Sequence, residues 1–248
     1  MIPIFDSNSH LAESTDSINL YLGEMDKQNI CGCIVTLLPP HPLSFYYTSL
    51  NIVKRKNIHV VPYFDGNNLE ELKRIYKDCA FKGIKIHPRF SGLDINDEER
   101  FNELFAFATE SDVFIMLCTY YHSPTNYPVN DPLFTIARIV NKYPRMKLIL
   151  LHGGDVRLVE FAQFARHQEN VFIDLSHTLT RYNSTFIDSQ VSFCMQELDQ
   201  KCIIGSDFPY LTLEALRTKA DQLTDKLEKI KVENIYYKNI QKILKHGN

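Results

Sequence analysis

Imidazole, carboxylate, amine and thiol groups recur at one kind of place in this sequence, just after short apolar runs. Asp6-Ser7-Asn8-Ser9-His10 follows the first run, Lys85-Ile86-His87-Pro88-Arg89 closes the fourth, and Cys118 ends the fifth. His152-Gly153-Gly154-Asp155 ends the sixth, Ser176-His177 the seventh, and Gly205-Ser206-Asp207-Phe208-Pro209 the eighth. Alternate residues of an extended chain point the same way, so Asn8 projects with His10 and Lys85 with His87. Such groups move protons, polarise carbonyls or bind metals. Each alone has a plainer reading: a strand-end histidine is commonly structural, a lone Cys118 packs in a core, and Asp207 before Phe-Pro fits an Asx-turn. Their joint placement gains meaning only if the strand ends converge on one pocket.

The elements that would position them are legible as an alternation. The apolar runs are Ile2–Phe5, Cys31–Leu38, His59–Phe64, Gly83–Ile86, Val113–Leu117, Lys147–Leu151, Val171–Leu175 and Cys202–Ile204. They are rich in Ile, Val and Leu without polar alternation, as strands buried on both faces are. Between them, Asn68–Tyr76, Glu98–Thr109, Asp131–Tyr143, Val156–His167 and Leu213–Leu227 carry apolar residues at helical intervals. Asp97 and Asp155 stand where N-caps would, and Pro132 suits a first turn. Pro39–Pro42 marks a loop. The strand runs recur at roughly 25 to 35 residues, the length of one βαβ step. Eight such steps predict an α/β protein, a single (β/α)8 TIM barrel over residues 1–248, whose C-terminal strand ends carry the chemistry. An open doubly wound sheet is the alternative, but no GxGxxG follows the first strand.

Composition narrows the function classes. The net charge is −3 and the sequence pI about 6.3, and no basic run supplies a footprint for nucleic acid. The N-terminus lacks the basic and apolar regions of a signal peptide, and no apolar run approaches the roughly 20 residues of a spanning helix. The expectation is a cytoplasmic protein with reduced cysteines, acting on a small molecule, with no nucleic-acid or membrane partner and with homo-oligomers allowed. Cys31-Gly-Cys33 has the wrong spacing for a CxxC pair and reads as strand core.

Four ordered motifs, FDSNSH, GIKIHP, LILLHGG and IIGSDFP, resemble the amidohydrolase-2 group of the amidohydrolase superfamily. NIYYKNIQKIL resembles that group's closing helix. The resemblance implies a divalent metal, usually zinc, held by two histidines of an HxH motif on the first strand, one on the fifth and an aspartate on the last. Carried over, His10 and Asp207 are implied ligands and His152 is the catalytic histidine. Two positions depart: Asn8 replaces the first histidine of HxH, and Cys118 takes the fifth-strand position. The implied ligand set is Asn8, His10, Cys118 and Asp207, with His122 able to replace or supplement one of them.

The resemblance implies hydrolysis of a small anionic ester, lactone or amide. Asp207 would act as general base and His152 would polarise the carbonyl. Lys85, His87 and Arg89 are the candidate substrate-binding residues, with Lys85 or Arg89 holding a carboxylate and Asn8 donating to the carbonyl. A metal-free lactonase, a decarboxylase and a non-catalytic small-ligand-binding barrel are the alternatives. His41 and His177 are expected near the rim in structural or solvated roles. Tyr120–Asn130 and Pro39–Pro42 are the candidate lid loops.

Overall fold

A computed structural model describes residues 1–10, 15–37, 57–120 and 131–245. Eight parallel strands form the predicted barrel. They are β1 (Ile4–Ser9), β2 (Ile30–Thr36), β3 (Ile58–Val61 and Tyr63–Phe64), β4 (Gly83–Ile86), β5 (Phe114–Cys118), β6 (Leu148–Leu151), β7 (Val171–Asp174) and β8 (Cys202–Ile203). Pro62 divides β3 because it has no N–H to give the ladder. Ile58–Val61 pairs with β2 and Tyr63–Phe64 with β4, while the Pro62 carbonyl still accepts from Lys85 N at 2.8 Å. From β4 to β8 each strand pairs in parallel with the next.

The ring closes between the two ends of the chain. Ser7 N donates to the Ile204 carbonyl at 3.0 Å, Asp207 N to Asn8 at 2.8 Å, and His10 N to Phe208 at 2.7 Å. Ser9 forms a parallel bridge with Phe208. A buried carboxylate reinforces this seam. Asp6 accepts from Ser206 N at 2.8 Å, Ser206 Oγ at 2.6 Å and Tyr21 OH at 2.7 Å. Asn8 N donates to it as well at 3.3 Å, so removing it orphans four buried donors, and Asp6→Ala is expected to lower unfolding free energy by about 3–5 kcal/mol in urea titrations. A loss below about 1 kcal/mol would show that the carboxylate does not secure the seam.

Pleating sorts the side chains. Ile84, Ile86, Ile115, Leu117, Leu148, Leu150, Val171 and Ile173 face the helix layer, while Phe5, Ile34, Val61, Phe114, Met116, Ile149, Leu151, Phe172 and Ile203 fill the barrel. Ile240 and Ile243 of the closing helix (Asn239–Leu244) join the interior cluster and cover it. On β4 the inward positions are Gly83 and Lys85. A Cβ on Gly83 would lie 2.1 Å from the Phe114 ring, so glycine there makes room for the aromatic filling. Cys118 shares its parity with Phe114 and Met116 and points inward. The β1–β2 register shifts between Asp6 and Ser9; such a bulge turns Asn8 and His10 inward although Ser7 also faces the interior.

The outer helices are α1 (Thr15–Lys27), α2 (Leu69–Cys79), α3 (Glu98–Glu110), α4 (Pro132–Lys142), α5 (Leu158–Arg166), α6 (Phe186–Glu197) and α7 (Leu213–Thr224). The periodicity of α2, α3, α4, α5 and α7 matches the sequence reading, with Asp131 capping α4 ahead of Pro132. Helices α1 and α6 were not read from the sequence. Asp155 is no helix cap: at φ 57° it lies inside the Gly-Gly turn, and its carboxylate accepts from Tyr182 OH at 2.5 Å. All six cysteines are free thiols, with Cys33 fully buried in β2. Among the described residues no helix is long and apolar enough to cross a membrane. Pro39–Pro42 with His41, and residues 121–130 with His122, lie outside the described residues.

Candidate active site

The C-terminal ends of the strands surround a cavity of about 250 Å³ lined by His10, Lys85, His87, Arg89, His152 and Asp207, with His177, Arg181 and three aromatic residues at its wall. Three of these residues, His152 (φ 64°), His177 (φ 65°) and Asp207 (φ 54°), hold left-handed backbone. Residues with a Cβ adopt that conformation at a cost of order 1–3 kcal/mol each, and such positions concentrate at functional sites.

Asp207 is 6% exposed, and its Oδ1 accepts from Asn8 Nδ2 at 2.8 Å and from His10 Nε2 at 3.1 Å. Burial alone would raise its pKa. The hydrogen bond from His10 and the charges of His152, His10 and Lys85 overcome burial and hold the carboxyl well below the usual carboxylate range. Thr36 Oγ1 lies 2.7 Å from His10 Nδ1. Nδ1 also lies 3.2 Å from the Thr36 carbonyl, and because the Asp207 carboxylate at 3.1 Å can only accept, a ring proton is assigned to Nε2. Burial, and then Lys85, lower the His10 pKa, consistent with a neutral ring.

Lys85 lines the cavity beside this group at 1% exposure; burial lowers its pKa, and the charges of Asp207, Cys118 and Asp174 act against that to favour the ammonium. Its Nζ donates to Asn8 Oδ1 at 3.1 Å and Thr36 Oγ1 at 3.3 Å, and stands 3.5 Å from His10 Nε2. The sequence offers Lys85 or Arg89 to hold a substrate carboxylate; the Lys85 amine is engaged by Asn8 and Thr36. Asn8, fully buried, is likewise occupied, donating to Ser176 Oγ at 3.1 Å as well as to Asp207.

A second group is built around Cys118. Burial by itself would raise the thiol's pKa, but the charges and hydrogen bonds of His87 and His152 pull it well below its ordinary value. His152 responds in the opposite sense. Burial lowers its pKa, yet the hydrogen bond and charge of Cys118, with Asp207 and Asp174 behind, raise it to about 9. Its Nδ1 lies 2.8 Å from the Ser176 carbonyl, and its own carbonyl accepts from Thr178 Oγ1 at 2.8 Å. The turn beneath it depends on Gly154 at φ 78°, where a Cβ would lie 2.2 Å from the Phe161 ring. His87 caps the single-turn helix Pro88–Ser91 and stacks on Phe90 with centroids 4.1 Å apart.

The wall carries two guanidinium groups. Arg89 Cζ lies 4.9 Å from the Tyr120 ring centroid and Arg181 Cζ lies 5.6 Å from it. Arg89 Nε is buried with no hydrogen-bond partner among the described residues. Sequence reading missed Arg181; its signal is the i+4 spacing from His177 across the one-turn helix Thr178–Arg181. His177 reaches the cavity, its ring centroid 5.5 Å from that of His152.

Whether this donor set suits a divalent metal follows from its lone pairs. Among the described residues, no group of three or more His, Cys, Asp or Glu side chains is placed to hold a metal ion. Of the implied set Asn8, His10, Cys118 and Asp207, the thiol of Cys118 belongs to His87 and His152. Asn8 Oδ1 is taken by Lys85, and His10 Nε2 carries the proton that faces Asp207. A dication about 4 Å from the Lys85 ammonium would meet a repulsion of about 8 kcal/mol at an effective dielectric constant of about 20. The residues present do not fit a divalent metal with Lys85 charged in place.

The sequence profile described as amidohydrolase matches residues 54–245. No curated protein matches the chain. An uncharacterized TIM-barrel protein from Bordetella bronchiseptica superposes with a TM-score of 0.78 at 14% identity, covering 98% of each chain. A probable 2-pyrone-4,6-dicarboxylic acid hydrolase from Acinetobacter baumannii, with citric acid bound, gives 0.74 at 13% identity, covering 98% of this chain and 99% of its own. A dihydroorotase from Campylobacter jejuni gives 0.67 at 13% identity, covering 97% and 82%. These similarities agree with the TIM-barrel fold.

Proposed function

The chain belongs to the amidohydrolase family, and from that membership we propose that it hydrolyses a small anionic ester or lactone, with Asp207 as general base and His152 as the carbonyl-polarising cation. The observation that carries this reading is the opening of both groups, each on left-handed backbone, onto one cavity. Asp207 Oδ1 is committed to Asn8 and His10, and Oδ2 has no bond to the described residues, so it is the oxygen that meets water. It takes one water proton as the hydroxyl oxygen bonds to the acyl carbon. Protonated His152 donates to the oxyanion that develops on the carbonyl. Collapse breaks the acyl–oxygen bond, and the leaving oxygen recovers the proton from Asp207. No step is routed through a metal.

The depressed pKa of Asp207 makes it a weak base. It therefore suits a substrate whose leaving oxygen is an enolate or aryloxide and demands little basic assistance. The guanidinium groups of Arg89 and Arg181 supply two charge-assisted donors for a carboxylate on such a substrate. The similarity to a structure named for hydrolysis of 2-pyrone-4,6-dicarboxylic acid, a lactone with two carboxyl groups, supports the same substrate class.

The test is a panel of lactones and aryl esters bearing no, one or two carboxylates. Turnover is expected to favour the carboxylated members. Arg181→Met should raise KM for them about 10- to 100-fold while leaving neutral members little changed. An absence of turnover across the panel would remove the hydrolase reading, and equal KM changes for charged and neutral members would remove the arginine assignment.

A further inference from the structure

We propose that the Lys85 ammonium is the resident cation of this site, standing where the amidohydrolase resemblance places a divalent metal. The inference rests on Asp207 being the working carboxylate. Asn8 and His10, which the resemblance assigns to a metal together with Asp207, here stand against a nitrogen of the protein itself. Lys85 Nζ reaches Asn8 Oδ1 at 3.1 Å and Thr36 Oγ1 at 3.3 Å. Both acceptors pass its influence to Asp207. With Oδ1 turned to the ammonium, Asn8 presents its NH2 to the carboxylate at 2.8 Å. Thr36 Oγ1, which accepts from the ammonium, lies 2.7 Å from His10 Nδ1 and 3.3 Å from the Ser9 carbonyl, and His10 turns its Nε2 to Asp207 at 3.1 Å. One cation thus contacts the side chains of Asn8 and Thr36 that orient the donors holding the carboxylate.

Two departures from the metal pattern become one change. Exchanging the first HxH histidine for Asn8 supplies an amide that can accept from an ammonium and donate to a carboxylate at once, which a single imidazole nitrogen cannot do. Lys85 is buried at the inward β4 position, within reach of groups from β1 and β2 and beside β8. Its role is to position the carboxylate and to supply the positive charge there.

Metal binding tests this separately from turnover. Wild-type protein dialysed against zinc or cobalt(II) is expected to retain fewer than about one ion per ten chains, with a melting temperature indifferent to chelator. Asn8→His rebuilds the HxH pair but keeps the ammonium, and should remain metal-poor. Asn8→His combined with Lys85→Ala should bind cobalt(II) at least about 100-fold more tightly than Asn8→His alone, with the visible absorption of a ligated ion. One equivalent retained by the wild type would overturn the proposal even if the variants fail to fold. Equal affinity of the single and double variants, or no binding by either, would overturn it too. An inactive substrate panel with these metal results would remove the hydrolase reading and leave the Lys85 assignment standing.

Discussion

Asp207→Asn is expected to lower kcat by about 10²- to 10⁴-fold on the preferred carboxylated substrate, the usual scale for losing a general base. The substitution isolates the base from its surroundings. The new carboxamide oxygen can still accept from Asn8 and His10, and its NH2 replaces only the oxygen that has no bond to the described residues. The side chain keeps its size in a site that is 6% exposed. KM should therefore change little, while the unfolding midpoint should fall at neutral pH, because the neutral amide loses the favourable interaction with His10, His152 and Lys85. Steady-state kinetics with far-ultraviolet circular dichroism check this result. A folded Asp207→Asn enzyme within about fivefold of wild type would assign the base elsewhere.

The second large effect falls on His152, with a pH signature attached. Its neighbours are Cys118, Asp207 and Asp174 on the anionic side and the His177 ring at 5.5 Å. The anionic partners hold its pKa at about 9. In the proposed mechanism the imidazolium acts, so kcat/KM should be level through neutral pH and fall about tenfold per unit above pH 9. His152→Gln keeps a donor but loses the charge, and should cost about 10²- to 10³-fold in kcat and abolish the alkaline limb. An alkaline limb unchanged in His152→Gln would defeat the assignment. The same shift has a sign for stability. A histidine with a raised folded pKa contributes fully below its unfolded value, near 6.5, and that contribution is lost as pH rises through about 9. Folded wild type should thus lose stability across this window, and His152→Gln should not.

Much of this arrangement was legible in the sequence, for reasons that can be located. Short runs rich in Ile, Val and Leu marked the eight strands because both faces of each are covered. Alternation predicted that Asn8 projects with His10 and Lys85 with His87. Alternation gives the face but not the partners, and so it could not tell that the Lys85 amine is engaged by Asn8 and Thr36 while Arg89 packs on Tyr120 at the wall. The Asp6–Ser9 bulge lies outside simple parity altogether. Asp155 was misplaced as a cap because two glycines ahead of it take positive φ and carry the chain away from a helical start. Arg181 escaped notice because a one-turn helix has no period to read. Cys118 was assigned by resemblance to a metal, whereas two imidazoles from β4 and β6 claim its sulfur.

The seam between β1 and β8 also governs when the site can exist during synthesis. Asn8 and Asp207 meet across 199 positions of sequence, so nearly the whole polypeptide must leave the ribosome before the carboxylate finds its donors. Contacts of such long sequence separation form late and slow folding. A nascent chain stalled short of residue 207 would carry most of the strands and none of the chemistry.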